Sequence, residues 1–240
     1  MTELLYQTDS YLKDFTANVA AVDTEANACF LDRTAFFPGG GGQVFDLGVI
    51  EFGAQHATLK RAKHHPLGIM HVLDEGQPLP SIGDAVHGIL DWEHRYQVMR
   101  THTAMHILCG SIFRDYGALV TGGDMEPLKG RMDFEFENLS RDLIAVIEET
   151  VNREVQSARE VRGAIHSRQE AFQIPDLIRT KINLLPEHIS EIRTIEIVGL
   201  DLQADGGTHV HNTSEVGIMH ITDYKSKGKI NKRIYIELEE

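Results

Sequence analysis

The chain has 240 residues, of which 42% are hydrophobic, and a formal net charge of -13 at pH 7. That length allows one large domain or two modest ones, each with a buried core. Its apolar runs stay well short of the ~20 residues that span a bilayer, and its N-terminus lacks a signal-peptide pattern. With two cysteines in unlike contexts, no disulfide framework is implied. We therefore expect a cytoplasmic protein without membrane contact, and the acidic balance excludes nucleic-acid binding through a global positive field.

The first 90 or so residues are predicted to be mostly β. Short apolar segments alternate there with turn residues such as Pro-Gly, Glu-Gly and Ile-Gly-Asp. Regular spacing of this kind favours a small barrel over βαβ units. The predicted strands are 15–22, 28–31, 44–50, 57–59, 68–73 and 85–90.

A run of four glycines interrupts this β region at residues 39–42. Such a run lets backbone N–H groups approach a partner closely, and a phosphate is one such partner. No Lys-Ser/Thr follows the run, so it is not a P-loop. A glycine-rich bend packed under a neighbouring domain explains the run equally well. We predict RNA contacts at Gly40, Gly41, Gly42 and Gln43.

The segment from Asp91 to Tyr116 is predicted to form one long helix. Apolar residues recur in it at helical spacing, no proline interrupts it, and Gly117 follows. His102 and His106 lie one turn apart on the same face, so both imidazoles can aim at one point, as a zinc ion requires. The chain has 13 histidines, so this spacing also fits a solvated pair or a pair satisfied within the core.

A second pair of potential ligands, Asp205 and His209, lies far along the chain. The two residues are also four apart, here across a Gly-Gly turn. Because glycine removes the steric bar to positive φ, a tight loop can bring both side chains to one metal. Two ligands from each of two distant segments is a common way to build four-coordinate zinc. The sequence therefore predicts one metal site made of His102, His106, Asp205 and His209.

The remaining residues complete an α+β pattern. Ser140 is placed to cap a second helix, whose apolar stripe runs to Val155. After Pro175 we predict a polar connector. We expect a small N-terminal β-barrel-like domain, residues 1–92, and a second domain, residues 93–240, with long helices packed on an antiparallel sheet. The strands predicted in the second domain are 131–136, 192–198, 216–221 and 233–238.

The clearest basic segment spans residues 225–233, between two predicted strands. A local patch of this kind can engage RNA even when the whole chain is acidic. The same residues also fit a solvated hairpin turn. The RNA contacts predicted in the segment are Lys227, Lys229, Lys232 and Arg233.

In combination, these motifs resemble the AlaX family, free-standing relatives of the alanyl-tRNA synthetase editing domain. The likeness covers nearly the whole chain, as in the medium-length form of the family. The motifs are, in order, Leu31-Asp-Arg-Thr, Gly-Gly-Gln43, His102-x-x-x-His106, Arg131-x-Asp-Phe, Gly-Gly-Thr-His209-Val and a closing Gly228-Lys-x-Asn-Lys-Arg.

The resemblance implies a hydrolase that removes serine or glycine from wrongly charged alanine tRNA. It implies one Zn²⁺ per chain, held by His102, His106, Asp205 and His209, and a partner in the aminoacylated 3' end of tRNA. Aspartate at position 205 departs from the cysteine usual in the family. It either binds the metal directly or orients a ligand histidine while a water takes the fourth position. These patterns set no oligomeric state.

The expected chemistry is simple because an aminoacyl ester is already activated. The His102–His106 segment lacks the glutamate base of zinc proteases, and no Gly-x-Ser-x-Gly elbow is present. A Lewis acid and an oriented ester and water suffice. We predict catalytic roles for Asp205 and for Thr121, which would hydrogen-bond a serine hydroxyl; ordinary turn packing is the alternative for Thr121.

Two other functions fit the same motifs. Related editing domains share them, so the substrate could be serine on threonine tRNA. Alternatively, the aspartate at position 205 could mark a metal- or RNA-binding module without catalysis.

Overall fold

The computed structural model describes residues 2–175, 177 and 190–240. The chain divides into two units, Met1–Tyr96 and Gln97–Glu240. The division falls inside the long helix, a few residues beyond the predicted boundary after residue 92. The roles assigned to the two parts of the chain stay predictions.

The first unit is built around a closed barrel of six antiparallel strands. In the order of their pairing these are β2, β3, β7, β6, β5 and β8, and β8 closes back on β2. Closure pairs the edges of this sheet, and alternate residues along each strand fill its interior, including Phe15, Ala17 and Val19 of β2. The strands of the unit are β1 Glu3–Leu4, β2 Asp14–Asp23, β3 Ala28–Leu31, β4 Arg33–Thr34, β5 Gly48–Phe52, β6 Gln55–His65, β7 Gly68–Leu73 and β8 Ala85–Leu90. The predicted β-barrel is confirmed.

The glycine-rich segment forms a loop whose base is held by a buried ion pair. The Arg95 guanidinium donates to both carboxylate oxygens of Asp46 and to the carbonyl oxygens of Ser10 and Ala35. Asp46 in turn exchanges hydrogen bonds with the backbone of Phe37, which closes the loop. Replacing either charged partner would leave the other buried and uncompensated.

At the tip of this loop, four consecutive glycines have positive φ, between 61° and 142°. Side chains are strained in that backbone region, which explains the run. Gly40 and Gly41 are exposed, Gly42 is half-buried and Gln43 is buried. Gly40 and Gln43 exchange backbone hydrogen bonds of 3.0 and 2.9 Å across the turn.

The described residues of the second unit form two antiparallel sheets and the long helices. One sheet has four strands in the order β14, β15, β10, β9, and the other has three in the order β11, β12, β13. The α+β class is confirmed, but the single sheet that we expected is divided in two. The helices are α1 Trp92–Tyr116, α2 Arg141–Gln156 and α3 Arg168–Ala171, and the strands are β9 Val120–Glu126, β10 Lys129–Glu135, β11 Val161–Ser167, β12 Glu191–Ile197, β13 Asp201–Ala204, β14 Met219–Ser226 and β15 Asn231–Leu238.

Local signals explain the second helix. The Ser140 hydroxyl accepts the Leu143 N–H at 3.2 Å, which caps the N-terminus of α2 as predicted. Asn152, on the same helix, exchanges two hydrogen bonds with the backbone of Met219 at the start of β14. Side-chain pairing thus joins α2 to the four-stranded sheet.

Some elements differ from the sequence prediction. Strands β9, β11 and β13 and the short helix α3 were not predicted, because each is short or mostly exposed and lacks a clear apolar period. Residues Thr213–Val216 form a 3-10 turn, so the strand predicted from residue 216 begins at Met219. The polar connector predicted between Pro175 and Ile192 falls mostly at 176 and 178–189, outside the described residues.

A membrane-spanning helix was not expected. Among residues 2–175, 177 and 190–240, no helix is long and apolar enough to cross a bilayer.

His71, on β7, should make the stability of the first unit sensitive to acid. The imidazole is fully buried, with Nε2 2.9 Å from Thr34 Oγ1. Burial lowers the pKa of His71 from 6.5 to about 4. The unfolded chain therefore binds more protons between these pH values. The contribution of neutral His71 to the free energy of unfolding is thus complete above pH 6.5 and is lost as the pH falls toward 4. From about pH 7 to about pH 5 we expect a loss of about 2 kcal/mol in the free energy of unfolding.

Urea unfolding of His71→Gln at several pH values checks this expectation. The variant should show a flatter pH dependence than the wild type in this window. His56→Gln is the control, because His56 is an exposed residue of β6. Equal slopes for His71→Gln and the wild type would contradict the assignment.

Candidate metal centre

Helix α1 supplies the first two side chains of the centre. His102 and His106 lie one turn apart, are both buried, and have ring centroids 5.1 Å from each other. Met105, between them, packs on the four-stranded sheet, where an added Cβ at Gly130 would lie 2.7 Å from its sulfur. That contact fixes the rotation of the helix, and with it the direction of the two imidazoles.

The loop after β13 supplies the other two. The Asp205 carboxylate accepts the Gly207 N–H at 2.6 Å, which tightens the turn. Arg193 of β12 donates to the carbonyl oxygens of Asp205 (3.2 Å) and Gly207 (2.7 Å). His209 follows this turn with its side chain buried. The loop is therefore pinned to the three-stranded sheet at both peptide groups.

The four predicted side chains meet at one place. One ligand atom from each of His102, His106, Asp205 and His209 lies within 4.8 Å of the other three. Asp205 Oδ2 is 3.3 Å from His102 Nε2 and 3.7 Å from His106 Nε2, and Oδ1 is 3.2 Å from His209 Nε2. The Asp205 side chain is 15% exposed, so the cluster opens to solvent at the carboxylate.

This donor set suits a zinc ion. Three imidazole nitrogens and one carboxylate oxygen are ordinary zinc ligands, and ligand atoms about 2.0–2.1 Å from a tetrahedral ion lie about 3.3–3.4 Å apart. The carboxylate–imidazole distances of 3.2–3.7 Å agree with that spacing. The far nitrogens of two rings are also engaged: His106 Nδ1 lies 3.0 Å from Asp201 Oδ2, and His209 Nδ1 lies 3.2 Å from Thr103 Oγ1. The residues present therefore fit the metal, and their ligand role stays a prediction.

The charges of the cluster call for a cation. Burial raises the pKa of Asp205, but the positive charge of His102 and hydrogen bonds from the three histidines outweigh it and hold the pKa well below 3.8. Burial, with the charge on His102 second, holds the pKa of His209 well below 6.5. Burial also opposes charge on His106, yet Asp201 and Asp205 raise its pKa to about 9. A largely enclosed carboxylate is thus held charged among the imidazoles, where a proton or a metal must balance it.

Known proteins resemble this chain over nearly its whole length. The family model described as "Threonyl and Alanyl tRNA synthetase second additional domain" matches residues 192–235, which include Asp205 and His209. The alanyl-tRNA editing protein AlaX-M of Saccharolobus solfataricus is 37% identical over 237 residues, covering 98% of each chain. That of Methanosarcina acetivorans is 38% identical over 245 residues, covering 99% of each. The chain belongs to the AlaX family.

The same relationship extends to larger enzymes. The alanine–tRNA ligase of Sulfurisphaera tokodaii is 36% identical over 225 residues, which are 92% of this AlaX-family chain and 24% of the ligase. The AlaX fold therefore corresponds to one portion of that ligase.

Thr121, the predicted serine-binding residue, lies at the start of β9 and is exposed. Its hydroxyl donates to Asn231 Oδ1 at 2.9 Å, across the four-stranded sheet. The contact reaches β15, which lies on the other side of β10 in the sheet, and does not involve the four-residue cluster. The role predicted for Thr121 stays a prediction.

The basic residues divide into two groups. Lys227 and Lys229 are exposed in the turn between β14 and β15. Lys232 is buried, and its ammonium donates to the carbonyl oxygens of Gly228 and Lys229 at 2.8 and 3.0 Å. Arg233 makes two hydrogen bonds to the Asp133 carboxylate, of 2.6 and 2.8 Å. Lys232 therefore stabilises the turn, and Arg233 joins β15 to Asp133 of β10; the RNA contacts assigned to both residues stay predictions.

Sequence reasoning missed four residues around this AlaX centre: Asp201, Gln203, Thr103 and Arg193. A signal was present for two of them. Asp201, Gln203 and Asp205 alternate with apolar residues, so a strand places all three on one face. No comparable local pattern marks Thr103 or Arg193.

Proposed function

We propose that this protein is a metal-dependent aminoacyl-tRNA deacylase that removes serine, and also glycine, from wrongly charged alanine tRNA. Two findings support this: membership of the AlaX family and the convergence of three imidazoles on one carboxylate. The convergence carries the argument, because the four side chains could hold a metal ion at a position that solvent partly reaches.

The residues proposed to hold one zinc ion per chain are His102, His106, Asp205 and His209. A bound zinc ion supplies a Lewis acid beside the ester carbonyl. We propose that Asp205 is a direct ligand, since its two oxygens already face the three Nε2 atoms at 3.2–3.7 Å. An oxygen donor is harder than a thiolate, so other divalent metals are expected to compete more strongly with zinc.

The protein itself contributes fixed positions. The three histidines are buried within packed elements, so their imidazoles need little reorganisation when substrate arrives. Solvent reaches the cluster at Asp205, and the ester enters from that side in this proposal. We propose that the catalytic role of Asp205 is to help orient the ester as it enters.

We propose tRNA contacts at two places. Gly40, Gly41, Gly42 and Gln43 form the tip of the glycine loop, where the exposed backbone of Gly40 and Gly41 can approach a phosphate. Lys227 and Lys229 are the exposed cations of the 225–233 segment. Since charged tRNA is the proposed substrate, we place the protein in the cytoplasm.

A second substrate has one observation in its favour. The matching family model is shared by threonyl and alanyl synthetases. Serine on threonine tRNA is therefore the alternative substrate. The remaining alternative is that the protein is a metal- or RNA-binding module without catalytic activity.

The test is deacylation of serine-charged alanine tRNA before and after chelation, with bound metal measured on the same sample. We expect hydrolysis to disappear with the metal and to return with zinc. His102→Asn should lose activity by at least about 100-fold with the fold intact, because it removes a ligand. His56→Asn, an exposed histidine of β6, is the matched control.

Three results would overturn parts of the proposal. Hydrolysis that survives complete metal removal would exclude the metal's role. A metal-loaded protein that cleaves only serine-charged threonine tRNA would establish the alternative substrate. A metal-loaded protein that cleaves neither would leave a binding module.

Replacing Thr121 with valine checks its proposed contact with a serine hydroxyl. Loss of one hydrogen bond of about 1 kcal/mol should lower kcat/KM for the seryl ester about fivefold and spare the glycyl ester. The ratio of the two rates is the measurement. Equal losses on both esters would assign Thr121 to its strand contact with Asn231.

Replacing Lys227 and Lys229 together with alanine should weaken tRNA binding and flatten its salt dependence. Each lost phosphate contact lowers the slope of log affinity against log salt by about one. Lys129→Ala is the control, since Lys129 is an exposed lysine of β10. An unchanged slope in the double variant would place the RNA surface elsewhere.

A further inference from the structure

A second carboxylate lies directly behind the candidate metal centre. Asp201 begins β13, its side chain is fully buried, and its Oδ2 lies 3.0 Å from His106 Nδ1. His106 meanwhile turns its Nε2 toward Asp205. The ring therefore bridges two carboxylates, one at the cluster and one behind it.

The carboxylate of Asp201 is itself held in place. Gln203, two residues on along β13, donates from Nε2 to Asp201 Oδ2 at 2.6 Å and lies 3.4 Å from Cys109 Sγ. A strand places residues two apart on one face, so both side chains point toward α1. The amide thus fixes the oxygen that faces His106.

Helix α1 is shaped to admit this strand. A Cβ added at Gly110 would lie 2.8 Å from the Asp201 Cβ and 3.1 Å from Leu200 Cγ. Gly110 is one turn beyond His106 on the helix, and only glycine allows so close an approach. The contact between His106 and Asp201 therefore depends on the close approach of the helix backbone at Gly110 to the start of β13.

His209, another buried histidine of the cluster, is oriented by an uncharged group. The Thr103 hydroxyl donates to the Met99 carbonyl at 3.0 Å, so toward His209 Nδ1, 3.2 Å away, its oxygen can only accept. As a metal ligand, His209 would thus carry its proton on Nδ1 and present its Nε2 lone pair to the cluster. His106 shows the same arrangement, with a charged acceptor in place of a hydroxyl.

We propose that Asp201 is a positioning residue that keeps the His106 proton on Nδ1 and so aims the Nε2 lone pair at the bound metal. Gln203 holds the carboxylate in the required orientation. A carboxylate behind a ligand imidazole also makes it a stronger donor, and loss of such partners weakens metal binding about 10- to 100-fold. This inference rests on the proposed function only in taking His106 as a metal ligand.

Zinc affinity of the full chain, measured by competition with a chromophoric chelator, tests the proposal. Asp201→Asn should raise the Kd by about 10- to 100-fold. Glu191→Gln, an exposed carboxylate-to-amide change on β12, should leave it unchanged. Combined with His106→Asn, the Asp201 change should add less than about twofold, because its effect passes through that imidazole. A Kd of Asp201→Asn within about twofold of the wild-type value would overturn the proposal. So would a further rise of about 10- to 100-fold when Asp201→Asn is added to His106→Asn.

Two further measurements separate positioning from a structural role. Long-range ¹H–¹⁵N spectra of the zinc-loaded wild type should show the His106 proton on Nδ1, and a proton on Nε2 would overturn the proposal without any variant. The metal-free Asp201→Asn protein should unfold cooperatively. If it does not, Gln203→Leu replaces it, with an expected rise of severalfold in the Kd and an unchanged Kd as the contrary result.

These readouts do not depend on hydrolysis. A protein that cleaves no charged tRNA but loses zinc affinity in Asp201→Asn would end the proposed function and keep this inference. If the wild type cleaves charged tRNA but binds zinc no more tightly than Asp201→Asn, the proposed function would stand and this inference would be wrong.

Discussion

The close approach of helix α1 to strand β13 decides how the candidate centre is built. Gly110 removes the side chain that would meet Asp201 and Leu200, so the strand can lie against the helix one turn from His106. Everything that reaches the cluster from that strand, including the loop that carries Asp205 and His209, depends on this spacing. A glycine in mid-helix costs about 1 kcal/mol relative to alanine. Here that loss is offset by contacts that no larger residue would permit.

The cluster itself is organised by charge. Asp205 is a carboxylate held among three imidazoles, and a buried anion without compensation is strongly unfavourable. Burial opposes charge on His106, but Asp201 and Asp205 outweigh it and favour a proton on this ring, whereas burial, with the charge on His102 second, lowers the pKa of His209. A divalent cation would replace such a proton. The same electrostatics that destabilise an empty, neutral cluster therefore favour a metal-binding one.

In the first unit, too, a buried charge is compensated by a charge of opposite sign. Arg95 and Asp46 are both buried, and their charges cancel while the guanidinium also satisfies the carbonyl oxygens of Ser10 and Ala35. The glycine loop projects from this pair with its backbone exposed at Gly40 and Gly41. A rigid base and a tip without side chains are suitable features for a loop that contacts a flat or charged partner.

The sequence by itself determined the local features: the barrel strands, the long helix, the Ser140 cap and the two pairs of candidate ligands four residues apart. These follow from periods of 2 and 3.6 residues and from turn chemistry, which act over a few neighbours. Only the tertiary structure brought Asp201 to His106, 95 positions away, and paired Arg233 with Asp133 across the sheet. It also divided one expected sheet into two. Such contacts are set by how packed elements approach each other, and no short stretch of sequence encodes that approach.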